Sequence, residues 1–128
     1  MRLWDKEVEL TELVGKTIKS ITGLEQASEE VRIFTECGQE YMFYHSQDCC
    51  ECVELNDFEG EAEDLIGGIV LSAEAVEGEE SEPEYTDSHT WTFYKIETSK
   101  GGLWMRWLGE SNGHYSESVD FVWVNKPD

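Results

Sequence analysis

The sequence has 128 residues, with 29 Asp or Glu against nine Lys or Arg, for a formal net charge of -20. That length fits one domain spanning 1–128, and 39% hydrophobic residues with five each of Trp, Tyr and Phe supply a core and exclude a disordered chain. The charge excludes nucleic acid and anionic membranes as direct partners and favours a basic one.

Along the chain, alternation and β-branched or aromatic content predict a mostly β, β-rich α+β domain: an antiparallel sandwich or half-barrel with one or two short helices. A short helix is expected at 6–13 and a strand at 17–23. Strands at 30–36 and 39–45 flank the turn residues Cys37 and Gly38 as a hairpin. A further strand is expected at 49–57, a helical turn at 60–66 before Gly67-Gly68, and a strand at 69–76. Residues 77–88 read as a loop, acid-rich and holding Pro83, which would disrupt a sheet ladder. Strands at 89–98, 102–108 and 114–124 follow, separated by Lys100-Gly101-Gly102 and Ser111-Asn112-Gly113. In the first of these, Trp91 and Phe93 are expected on the inner face, as are Met105 and Trp107 in the next.

No run approaches the roughly 20 apolar residues of a membrane span. The opening MRLWDKEVEL lacks the apolar centre of a signal peptide, which leads us to expect an intracellular protein. Three of the four cysteines, Cys49, Cys50 and Cys52, fall within four positions. A disulfide framework spreads its cysteines to close loops, so reduced thiols or a metal site fit this spacing better.

The segment from Tyr44 to Cys52 offers one imidazole, three thiols and two carboxylates. Imidazole and thiolate together suit Zn²⁺, which takes four N, S or O ligands in a tetrahedron. Read as a hairpin corner, the segment places His45 opposite Cys49 with a three-residue loop, or opposite Cys50 with a longer one. Asp48 at the turn is an oxygen donor. Either way an imidazole and a thiolate can converge, and with the longer loop Cys52 joins that same face. The spacing is not that of a zinc finger, and the alternative is that Cys49 and Cys50 are small buried hydrophobes with His45 at the rim.

The acidic stretch has two readings as well. One is a solvated run that keeps the protein soluble. The other is a contact for a Lys/Arg-rich protein through Glu77, Glu79, Glu80, Glu82, Glu84 and Asp87. For catalysis the residues offer little. Paired carboxylates mean nothing among 29, and neither Gly-Gly pair has the flanks of a phosphate loop. A nucleophile pair of His45 with Cys49 or Cys50 would make a thiol- or metal-dependent enzyme. The surrounding acids would raise the thiol pKa and oppose it.

Together, Gly15-Lys16-Thr17-Ile18, Tyr44-His45-x-Gln47-Asp48-Cys49-Cys50-Glu51, Asp64-Leu65-Ile66-Gly67, Thr90-Trp91-Thr92-Phe93-Tyr94 and Trp107-x-Gly109-Glu110-Ser111-Asn112-Gly113 resemble a small acidic domain of bacteriophages and prophages. The YHxQDCCE element is the specific part. Cys52 lies outside it, and His114 stands where an aromatic is expected. Small acidic phage proteins of this look include anti-CRISPR inhibitors of Cas9-type nucleases. The resemblance implies a phage-encoded protein in the bacterial cytoplasm, with His45, Asp48, Cys49 and Cys50 acting as one unit, a structural zinc site. The expected function is a non-enzymatic inhibitor that binds a basic, nucleic-acid-binding surface, that of Cas9, and blocks its DNA binding. The alternative is an enzyme centred on His45 with Cys49 or Cys50.

Overall fold

A computed structural model describes residues 7–45, 52–80, 88–111 and 119–125, with backbone alone at 77–80, 88–89 and 111. Eight strands are described: β1 (Ile18–Thr22), β2 (Glu30–Thr35), β3 (Glu40–Tyr44), β4 (Cys52–Glu59), β5 (Val70–Glu80), β6 (Ser88–Thr98), β7 (Gly101–Ser111) and β8 (Asp120–Trp123). A 3-10 helix at Leu10–Leu13 precedes them, and a single helical turn, α1 (Ala62–Leu65), follows β4. The strands form two antiparallel four-stranded sheets, ordered β1-β2-β3-β8 and β4-β7-β6-β5. The fold is therefore the expected β-rich sandwich.

Period-two alternation explains both inner faces. On the first sheet Val31, Ile33, Tyr41 and Phe43 are fully buried; on the second Leu55, Ile96, Leu103, Met105 and Trp107 are buried likewise. The two layers meet at Phe43 and Tyr94, whose ring centroids lie 4.8 Å apart in a tilted pair, a favoured aromatic geometry. Phe121 on β8 packs against Phe43 at 4.7 Å. One side of the sandwich is sewn by backbone bonds from Ile18 N to Gly68 O at 2.9 Å and from Gly67 N to Ile18 O at 2.7 Å.

The β2–β3 hairpin turns at Cys37 and Gly38 as read from the sequence, with Val31 opposite Phe43 and Ile33 opposite Tyr41. The expected helix at 6–13 is shorter and tighter, a 3-10 turn that buries Leu10 and Leu13. The expected loop at 77–88 is corrected in its first part. Strand β5 runs on to Glu80, with Glu77 opposite Thr92, Glu79 opposite Thr90 and Glu80 opposite His89. Pairing with the strong strand β6 overrides the poor β propensity of a glutamate run.

The phase of β6 is also corrected. Thr92, Tyr94, Ile96 and Thr98 face inward and are buried, whereas Trp91 and Phe93 are half-buried on the outer face. Aromatics occupy both phases of this strand, so its aromatic content does not decide the register. Lys95 and Glu97 share the parity of Trp91 and Phe93, and charge belongs outside. Met105 and Trp107 are in the core as expected.

Strand β4 is followed by Gly60, whose φ of +114° suits only glycine; a Cβ there would lie 2.6 Å from the Gly102 carbonyl oxygen. The missing side chain lets the end of β4 approach the start of β7.

Candidate functional site: the outer face of the second sheet

The register fixes what the outer face of the second sheet displays. Strand β7 presents Gly102, Trp104, Arg106, Leu108 and Glu110. Beside them β6 places Trp91 against Leu108, Phe93 against Arg106 and Lys95 against Trp104. On the other flank β4 sets Glu54 against Leu108, Asp57 against Arg106 and Glu59 against Trp104. From β5 come Glu74 opposite Lys95 and Val76 opposite Phe93. An apolar strip of Trp91, Phe93, Trp104, Leu108 and Val76 thus runs down the sheet, and Val76 is 59% exposed.

The strip is rimmed by carboxylates. Glu54, Asp57, Glu59, Glu74, Glu97 and Glu110 share this face with two cations, Lys95 and Arg106. Lys95 pairs with Glu97 at 3.7 Å, both side chains being largely exposed; such a pair contributes little and is easily exchanged. Arg106 is held more firmly. Its Nε and Nη2 donate to the Asn56 Oδ1 at 3.1 Å and 2.7 Å. Its guanidinium carbon lies 4.9 Å from the Trp91 ring centroid and 6.0 Å from that of Trp104, within reach of a cation–π attraction.

Beyond Trp104, at the Gly102 end, a cleft of about 490 Å³ opens between Glu59, Gly60, Lys95, Glu97, Gly102, Leu103 and Trp104. Gly102 has no side chain, and the Glu97 carboxylate lies over it: a Cβ there would meet Glu97 Oε2 at 3.0 Å. Trp104 stands between this cleft and Arg106. Among the described residues this face has the composition of a protein-binding surface: tryptophans and an arginine at the centre with charge at the rim. Sequence reading missed it because Trp91 and Phe93 were placed in the core. The signal that finds it is the matching parity of Trp104, Arg106 and Leu108 on β7 with Trp91, Phe93 and Lys95 on β6.

Of the residues singled out in the sequence, some lie in or beside described strands and the rest lie outside the described residues. Glu77, Glu79 and Glu80 lie in β5, described by backbone alone, and Glu82, Glu84 and Asp87 lie outside the described residues. His45 follows β3 directly and is half-buried; Asp48, Cys49 and Cys50 lie outside the described residues. The hairpin corner expected between 39–45 and 49–57 is corrected. Strand β3 pairs with β2 and β8, while β4 pairs with β7 in the other sheet. Residues 46–51 therefore connect two sheets, and hairpin register does not set His45 against Cys49 or Cys50. Among the described residues no group of three or more His, Cys, Asp or Glu is arranged to hold a metal ion.

Cys52 opens β4 on the outer face, opposite Glu110. Its thiol is pushed up by partial burial and then by Glu54, Glu110 and Glu29, which suppresses the thiolate that nucleophilic or metal chemistry needs. On the first sheet, Arg32 sits between Glu30, at 3.5 Å, and Glu40. Hydrogen bonding to Glu40 is the largest influence raising its pKa, so this cation is already matched within the fold.

Among the described residues no helix is long and apolar enough to cross a membrane. Comparison with curated proteins gives no match, and neither does comparison with solved structures. Residues 11–121, which include β1 to β7 and the outer face, match a domain of unknown function, DUF7448, and the chain belongs to that family.

Proposed function

We propose that this domain is a non-enzymatic inhibitor that docks on the basic, nucleic-acid-binding surface of a host nuclease of the Cas9 type and blocks its DNA binding. The observation that carries the reading is the outer face of the second sheet, an aromatic strip inside a ring of carboxylates. The net charge of -20 supports it from a distance: it steers the domain toward positive surfaces. Cas9-type nucleases hold their heteroduplex in a positively charged channel, a surface of matching sign. The choice of that nuclease, and of the bacterial cytoplasm as the place of action, rests on the resemblance to small acidic phage domains.

A structural zinc ion on His45, Asp48, Cys49 and Cys50 belongs to the same proposal, supported by donor chemistry alone. In this reading zinc ties the connection between the sheets and takes no part in binding.

The test is co-elution of the domain with a guide-loaded Cas9-type nuclease on gel filtration at 0.1 M and 0.5 M salt. A complex at low salt that weakens at high salt is expected, because the Debye length shortens from about 10 Å at 0.1 M toward 3 Å at 1 M. Separate elution at both salts would overturn the reading.

A further inference from the structure

Attraction by charge alone does not distinguish lysine from arginine, but the outer face has features that do. We infer that the cleft beside Trp104 is a seat for an arginine side chain of the partner, so that the domain selects arginine-rich over lysine-rich basic surfaces. The inference rests on the proposed binding to a basic protein surface and names the side chain which that binding recognises.

Three observations carry it. First, the cleft combines an indole with two carboxylates: Glu59 lies opposite Trp104 across β4 and β7, and Glu97 lies over the bare backbone of Gly102. A planar guanidinium can stack on the indole while its N–H fork reaches a carboxylate; a lysine ammonium is a hydrated point charge without that fork.

Second, the face already holds one guanidinium in this manner. Arg106 lies on Trp91 and gives two N–H bonds to Asn56 Oδ1. The cleft brings the same kinds of group together, an indole from Trp104 with Glu59 and Glu97 as acceptors.

Third, the resident cation is weakly held. Lys95 meets Glu97 at 3.7 Å with 62% of its side chain exposed, so it can swing aside and yield the carboxylate to an incoming arginine. Gly60 and Gly102 line the cleft without side chains, so backbone and the Glu97 carboxylate form its wall.

The experiment uses two fluorescein-labelled nonapeptides, one of arginine and one of lysine, titrated by anisotropy into the full chain at 0.15 M salt. The readout is the ratio of the two affinities, from which general attraction to an acidic protein cancels. The unsubstituted chain should bind oligo-arginine about tenfold tighter than oligo-lysine. Trp104→Ala should bring the ratio to about one. If Trp104→Ala unfolds the chain, the exposed pair Glu59→Gln with Glu97→Gln decides, and it too should remove the arginine advantage.

Equal affinities in the unsubstituted chain, or an arginine advantage that survives these variants, would overturn the arginine seat and leave the basic-partner reading standing. Binding of neither peptide would overturn both.

Discussion

The Arg106 guanidinium lies over Trp91, 4.9 Å from the ring centroid, although the two residues are diagonal rather than opposite in the register: Trp91 faces Leu108 and Arg106 faces Phe93. Diagonal neighbours on adjacent strands are within reach of long side chains, and Asn56 fixes the guanidinium there. Arg106→Gln should therefore cost about 1–2 kcal/mol in urea unfolding, from its cation–π contacts and charged hydrogen bonds to Asn56. A double-mutant cycle with Asn56→Ala should return a coupling of more than about 0.5 kcal/mol. Additive effects would mean that the guanidinium is not held as described.

Thr92 and Trp107 face one another across β6 and β7 inside the core. Among the described residues neither Thr92 Oγ1 nor Trp107 Nε1 has a hydrogen-bond partner. A buried polar atom without a partner costs about 1–3 kcal/mol. Thr92→Val keeps the shape, removes the orphan oxygen and should raise unfolding free energy by about 1 kcal/mol. A loss of stability would show that the hydroxyl has a partner.

Tyr41 is buried, and its hydroxyl donates to Gln39 Oε1 at 3.2 Å. Burial, then Glu12 and Cys37, pushes its pKa up to about 12. The fold holds the neutral phenol more tightly than the unfolded chain does. That contribution is complete below an unfolded pKa of about 10 and is lost as pH rises from 10 toward 12. Unfolding free energy should fall across that window, at about 1.4 kcal/mol per unit of displacement, and Tyr41→Phe should flatten the slope. An unchanged slope in the variant would assign the alkaline loss to another group.

The zinc proposal is tested by the metal content of protein purified without added metal or chelator. About one zinc per chain, lost in His45→Ala, is the expected result. A metal-free protein in which His45→Ala leaves stability unchanged would return Cys49 and Cys50 to the role of small hydrophobes.

Strand β2 was legible because its burial alternates in one phase: Val31, Ile33 and Thr35 are inward while Arg32 and Phe34 are half-buried on the other side. Turn chemistry at Cys37-Gly38 and Lys100-Gly101 located two hairpins. Strand β6 was legible as a strand but not in phase, because Trp91 and Phe93 compete with Tyr94 and Ile96 for the core, and only Lys95 and Glu97 break the tie. The end of β5 was misread since Glu77, Glu79 and Glu80 look solvated along the chain, whereas a long partner strand carries them into the ladder. The His45 corner was misread for a different reason. Two adjacent strands with a short connection resemble a hairpin, and nothing local says that β3 and β4 belong to different sheets. The outer face follows only from the pairing of β4, β7 and β6, which no short window contains.

Inhibition by this domain requires competition for a basic channel. The direct measurement is binding of a labelled target duplex to a guide-loaded Cas9-type nuclease at 0.1 M salt with increasing amounts of this domain. The domain should displace the duplex, and a Trp91→Ala, Trp104→Ala variant that retains its fold should displace it at least about tenfold less well. Undiminished DNA binding at saturating domain, or equal inhibition by the aromatic variant, would contradict a role for this face.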